Sequence, residues 1–322
     1  MKDSKMTKKW TGARFIREFG IVIIFLALVA ILAIISPNHA FAKPANIINI
    51  LKQTSINGIL AMGMTFVIIS GGIDLSVGSI IGLTAVISAM FAHPEEYPLI
   101  VPIVAPILVG LLVGLFNGVC ISFGEIPPFI VTLGSMTMVR GLALIISGGS
   151  PVTNISRPFE EIAGLWYGIP KLAIYFIVVV AICAFILTKT VFGRRVYAIG
   201  GNEVTARVSG INVNVVRAAV YSISGLLAGV CGLLMASRTT TGAPTAGQSY
   251  EMDAIAAAVI GGVSMAGGSG KWYGVVIGAL MIAVIANGLD ILGISSNYQQ
   301  VIKGVIIISA VFFDIRGKKR RA

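Results

Sequence analysis

The run Gly268-Ser269-Gly270-Lys271-Trp272 is the nearest this chain comes to a phosphate cradle. A phosphate loop needs Gly five residues before its second Gly, and Ser or Thr after the Lys, so that backbone N–H groups and a cation surround the anion. Met265 and Trp272 hold those positions. The run therefore reads as a tight glycine turn. Hydrolytic chemistry finds no better footing: the chain has no Gly-x-Ser-x-Gly and no His-Glu-x-x-His. Both histidines, His39 and His93, fall in short connections without a second ligand at useful spacing, so no metal site is expected. Cys120, Cys183 and Cys231 lie inside apolar stretches and read as packing thiols rather than a disulfide or metal framework. Two polar features remain. One is Asp74, within Gly71-Gly72-Ile73-Asp74-Leu75-Ser76-Val77-Gly78-Ser79. The other is the basic stretch from Lys189 to Arg217.

The elements that must position them are set by composition. Of 322 residues, 56% are hydrophobic and 11% charged, against roughly 25% charged in a soluble domain. That places the chain among membrane proteins, as one all-α polytopic domain. Apolar runs of spanning length fall near 19–36, 47–70, 73–91, 99–123, 126–147, 171–188, 217–237, 252–267, 273–290 and 297–313. Some of these ten read as broken or re-entrant, and 252–267, short and rich in Gly and Ala, is the weakest span. The first run is too long for a cleaved signal, although Ala40-Phe41-Ala42 follows it.

The net charge of +11 is spread over span ends, which suits membrane orientation and not nucleic-acid binding. One side collects Lys2, Lys5, Lys8, Lys9, Arg14 and Arg17, five basic residues in 189–217, Lys271, and Arg316, Lys318, Lys319, Arg320 and Arg321. The other holds Lys43, Arg157, Lys171 and Arg238. Seventeen against four puts both termini and the 189–217 loop in the cytoplasm, with the acids Glu95, Glu96, Glu160 and Glu161 outside. The organisation is thus a basic tail over 1–18, a membrane domain over 19–315, and a second basic tail over 316–322.

Within 189–217, Asn202 is a good N-cap, Glu203 suits the positive end of a helix, and Gly210 supplies a stop. About two turns of helix lie between them, too few to be stable alone in water. The segment is either a surface turn or a docking helix completed by a partner. Asp74 stands where the second span gives way to the third. It either caps the new helix or meets a substrate, while Gly71 and Gly72 permit the break. A neutral, hydroxyl-rich substrate would suit Asn57, Thr65, Ser70, Ser76, Ser79, Thr84, Thr132, Ser135, Thr137 and Ser264, although small polar residues also let membrane helices pack closely. Arg140 and Lys303 lie inside spans; they either snorkel outward or find acids, Glu251 or Asp253 for Arg140. The external face would comprise 148–171, with a short helix near Pro158–Leu165, and 238–252.

Four stretches in order resemble permeases of ATP-binding-cassette sugar importers of the ribose, galactose and xylose class. They are the Asp74 motif, Pro127-Pro128-Phe129-Ile130-Val131-Thr132-Leu133-Gly134, the segment Gly200 to Val213, and Pro244 to Gly268. The wording around Pro244–Ala257 and Gly288–Ser296 is similar to ribose permeases, while the second stretch and Gly261–Ser264 also resemble galactoside permeases. The resemblance implies a multi-pass protein of the bacterial cytoplasmic (inner) membrane that pairs with itself or a paralogue. It also implies a cytoplasmic double-cassette ATPase, an extracytoplasmic sugar-binding protein, and no cofactor in this chain, ATP and Mg residing on the ATPase. It would place Gly200, Gly201, Asn202, Glu203, Ala206, Arg207, Gly210 and Ile211 against the ATPase. It would place Gly71, Gly72, Asp74, Ser76, Gly78, Ser79, Thr132, Ser135 and Ser264 along the pathway or its helix break, and Pro151, Thr245, Gln248, Glu251 and Asp253 at the external docking face. Branched-chain amino-acid permeases share the architecture, but the Asp74 and Pro244 motifs point to sugars. An ion-coupled carrier would need ionisable groups at mid-span, and only Asp74 comes near.

Overall fold

Gly110, Gly114 and Gly118 recur every fourth residue and so line one face of a helix. In the computed structural model that helix, α4 (Val101–Ser122), lies against α10 (Val213–Thr239) with almost no space between backbones. A methyl group at Gly114 would overlap Tyr221 O, and one at Gly118 would stand 2.7 Å from Ala218 Cα. Gly225 and Gly229 return the contact from α10. Without a hydrophobic drive between helices in lipid, such small-residue lines are what allow close packing.

The structure describes residues 12–93 and 96–319, with the backbone alone at 12–19, 310, 313–315 and 317–319. Lys2, Lys5, Lys8, Lys9, Glu95, Arg320 and Arg321 lie outside the described residues. The remaining elements are α1 (Gly12–Ile35), α2 (Pro44–Ile69), α3 (Val77–Phe91), α5 (Pro128–Ile146), α6 (Arg157–Glu160), a two-residue hairpin β1 (Leu165–Trp166) and β2 (Ile169–Pro170), α7 (Lys171–Lys189), α8 (Val191–Gly201), α9 (Glu203–Val208), α11 (Tyr250–Ile260), α12 (Trp272–Ile291) and α13 (Ser296–Lys319). A helix falls on each of the ten apolar runs. Helix α1 begins before the expected boundary at 19, and α13 continues past 315.

Five of these helices, α4, α5, α7, α10 and α12, are long and apolar enough to cross a membrane among the described residues. Helix α2 has the length, at 26 residues, but carries Gln53, Thr54, Ser55 and Asn57. Its neighbours explain this: it is buried without a break from Thr54 to Ile69, against α10, α12, α11 and α7. A helix surrounded by protein need not be lipid-compatible.

Two of the ten runs are not continuous spans. Helix α3 has 15 residues and α11 has 11, about 22 and 16 Å at 1.5 Å per residue, against a hydrocarbon core of about 30 Å. Irregular backbone at 72–75 and a turn at Ser76 precede α3, and a run of turns at 240–249 precedes α11. Irregular backbone inside a membrane domain is tolerated where protein surrounds it, and here α3, α5 and α10 do so. The expected surface helix at 158–165 is shorter, α6 plus a 3-10 turn at Glu161–Ala163, anchored by fully buried Phe159.

Candidate functional site

The stretch from 189 to 217 folds as two helices rather than one. Thr190 caps α8 by accepting from Gly193 N (3.1 Å), a start signal that the sequence reading passed over. Asn202 caps α9 by accepting from Thr205 N at 2.9 Å, and Gly210 ends it at φ +81°. The expected cap and stop are both present. Glu203 then fixes α9 to α10: Arg217 donates to one carboxylate oxygen at 2.5 Å and Arg207 to the other at 2.9 Å. The Arg217 hydrogen bond, with help from Arg207, holds the Glu203 carboxyl below the usual carboxylate range. Ala206 is buried; Gly200, Glu203 and Ile211 are half-buried; Gly201, Asn202, Arg207 and Gly210 are exposed. Val204 and Val208, one turn apart, are 73% and 85% exposed. These two apolar residues complete the outward face of α9, and their i,i+4 spacing was the signal for them.

Helix α8 meets the helix breaks directly. A methyl at Gly200 would overlap Ile69 O, the last carbonyl but one before the α2–α3 break, and would stand 2.6 Å from Gly268 N. Gly268 N itself donates to Ile69 O at 2.9 Å. Gly267 packs on both Gly200 and Gly71, and Tyr197 donates to Gly270 O at 2.9 Å. The turn at 261–271 that follows α11, the end of α2 and the end of α8 thus share one glycine junction. Gly267 and Gly268 both need positive φ there, +79° and +69°.

Beyond the junction, Gly71 turns the chain at φ +85°. Asp74 is fully buried. Its Oδ1 accepts from Ser76 N (3.0 Å) and Ser76 Oγ (2.6 Å), and its Oδ2 accepts from Ser224 Oγ on α10 (2.8 Å). Asn117 of α4 donates to Ser76 Oγ at 2.9 Å, and Tyr221 Oη donates to Ile73 O. The aspartate therefore closes a turn onto Ser76 just before α3 and is not the expected helix cap. Ser76 is the N-cap of α3 and no side chain caps it, while Ser224 and Asn117 tie the turn to two neighbouring helices. No substrate-facing surface is left to it in this conformation.

Other pathway candidates divide similarly. Gly78 packs against Gly247 and the Glu251 carboxylate, so the start of α3 abuts the start of α11. Ser79, Thr132, Ser135 and Ser264 are buried. Thr65, Ser70, Thr84, Thr132 and Thr137 return their hydroxyls to carbonyls of their own helices. This is the local bonding that makes such residues packing elements. Asn57 and Ser135 are buried with no hydrogen-bond partner.

Arg140 turns inward from α5 and donates to the carbonyls of Gly78 (3.0 Å), Ala246 (3.0 Å) and Pro244. Asp253 pairs instead with Lys303 of α13 at 2.9 Å. Two in-span cations, one from α5 and one from α13, therefore grip the 244–253 segment from either side, and neither snorkels to the surface. Of the external docking residues, Pro151, Thr245 and Gln248 are exposed, Glu251 is half-buried, and Asp253 is buried and faces the protein. Val152 and Gly242 exchange backbone hydrogen bonds, which joins the 151–156 link to the 240–249 segment at that end.

A family model described as branched-chain amino acid transport system / permease component matches residues 46–311. The ribose import permease protein of Bacillus subtilis is 47% identical over 294 residues, covering 90% of this chain and 91% of that protein. The ribose import permease protein of Haemophilus influenzae is 42% identical over 313 residues, 96% of each chain. The xylose transport system permease protein of Haemophilus influenzae is 36% identical, covering 93% of this chain and 96% of that protein. No solved structure matches the chain.

Proposed function

The chain belongs to the permease-component family of ATP-binding-cassette transport systems, and from that premise we propose that it carries ribose inward across the bacterial cytoplasmic membrane. The observation that carries the sugar assignment is 47% and 42% identity to ribose import permeases over nine-tenths or more of the chain. It is a transport subunit and not an enzyme. Ten membrane segments, eight continuous and two built from half-helices, cross with both termini on the cytoplasmic side. Two copies, or one copy and a paralogue, form the pathway between them. A double-cassette ATPase holding ATP and Mg supplies the energy, and a sugar-binding protein delivers substrate from outside.

The α9 helix is the ATPase contact in this reading. Val204 and Val208 fill an apolar groove on the partner, with Gly201, Asn202 and Arg207 at its rim. Glu203, Ala206, Gly210 and Ile211 hold the helix to α10. Gly200 passes its displacement to Ile69, and so to the α2–α3 break. External docking uses Pro151, Thr245 and Gln248. Xylose is the second reading, favoured by the 36% identity to a xylose permease.

The test is uptake of labelled D-ribose by a strain lacking its own ribose permease, complemented with this chain and its cognate ATPase and binding protein. Restored, ATP-dependent uptake is expected, unaffected by excess xylose. Uptake that persists without ATP hydrolysis sinks the importer reading. Equal competition by xylose transfers the assignment to xylose.

A further inference from the structure

At the end of the bundle opposite α8 and α9, a cavity of about 190 Å³ is lined entirely by polar residues: Gln248, Ser249, Ser296, Gln299, Gln300 and Lys303. It opens between the approach to α11 and the first turns of α13. Lys303 is the eighth residue of α13, so the floor lies about 10 Å along that helix. There its ammonium is 2.9 Å from Asp253 Oδ2, and Asp253 is 4% exposed. Gln299 forms one wall. Its Nε2 donates to Asp290 Oδ1 (2.7 Å) and Ile294 O (3.0 Å), which fixes the amide in place. Gln248, Ser296 and Gln300 are exposed at the rim.

The chemistry of this cup selects its ligand. Lys303 is the one charged residue in the lining, and Asp253 behind it already holds its ammonium, so a net charge of either sign gains little. Amides, hydroxyls and an ion pair side by side offer donors and acceptors together, which suits adjacent hydroxyl groups. The volume holds about six waters at ~30 Å³ each. It falls short of the roughly 300–1,000 Å³ of sites for drug-sized ligands. A single sugar ring fits both limits. We infer that this cup is a receiving subsite for a neutral monosaccharide on the outer side of the permease, an inference that rests on the sugar-importer reading above. Lys303, its ammonium oriented by Asp253 behind it, binds a hydroxyl at the floor, and Ser296 and Gln300 close on the ring from the rim.

The test uses the full complex, permease with its ATPase and binding protein, in proteoliposomes supplied with D-ribose, D-xylose, D-galactose or 2-deoxy-D-ribose. The doubly substituted Ser296→Ala, Gln300→Ala permease is expected to take up the transported sugar about tenfold more slowly below saturation, as two lost hydrogen bonds would give. ATP hydrolysis stimulated by the loaded binding protein stays within twofold. The preference for ribose over its 2-deoxy analogue falls as well, because a site that bonds a hydroxyl discriminates against its absence. Lys303→Met combined with Asp253→Asn, which strands no buried charge, is expected to show the same loss of preference, beside a lowered unfolding midpoint from the lost pair. Wild-type uptake and preference in both variants overturn the cup while leaving the importer reading intact. Loss of stimulated hydrolysis together with uptake also overturns it, because the residues then serve docking. A wild-type complex that moves none of the sugars overturns both.

Discussion

Ser76 and Ser224 occupy both carboxylate oxygens of Asp74, and that geometry ties the residue into the fold. An acid buried in a membrane domain is by default a functional hypothesis. Here the hydrogen bonds tie the irregular segment before α3 to α10, with Asn117 linking the same cluster to α4. Asp74→Asn keeps an acceptor for Ser76 and an amide that Ser224 can bond, so most of the fold should survive. Asp74→Ala strands the buried Ser76 N–H, at about 1–3 kcal/mol, beyond the lost bonds themselves. We expect Asp74→Ala to lower the unfolding midpoint in detergent well below that of Asp74→Asn. Equal midpoints would show that the carboxylate does not anchor α3. The identity of the residue and its place beside two glycines were legible in the sequence. Its partner Ser224 was not, because it lies 150 positions away.

Between elements, the glycine junction at Ile69, Gly200 and Gly267–Gly268 is the tightest link from the α8–α9 pair to the membrane helices. Adjacent glycines there separate two roles. A methyl at Gly200 overlaps Ile69 O, while one at Gly201 meets nothing within 4 Å. Gly200→Ala should push α8 off α2 and uncouple, with ATP hydrolysis by the complex retained and sugar uptake reduced more than tenfold. Any loss in Gly201→Ala reports contact with the partner instead. Normal uptake in Gly200→Ala would place the coupling route elsewhere. The sequence showed α9 through its cap and stop, because those signals are local. It did not show α8, whose start at Thr190 follows α7 after a single residue, or the half-length of α3. A run of apolar residues looks the same whether it is helical throughout or begins with irregular backbone.

For the whole molecule, the asymmetry of basic residues predicts an orientation, and the bundle places the relevant segments at opposite ends. The α8–α9 pair adjoins the ends of α2 and α11, while the 151–171 link and the 240–243 turn adjoin the end of α3. A single cysteine at exposed Arg207 should react with an impermeant thiol reagent only from the cytoplasmic side, and one at exposed Tyr167 only from outside. The reverse pattern would invert the topology and turn the polar cup toward the cytoplasm.

The sequence by itself determined the class of protein, the ten apolar segments, the family and the cap and stop of α9. Each of these is a property of composition or of residues within a turn of one another. Only the tertiary structure decided that α3 and α11 are half-helices meeting start to start, that Arg140 binds carbonyls while Asp253 takes Lys303, and that Thr65, Ser70, Thr84, Thr132 and Thr137 bond carbonyls of their own helices. Those outcomes depend on which distant backbone group lies within about 3 Å of a side chain, and no local pattern in the chain encodes that distance.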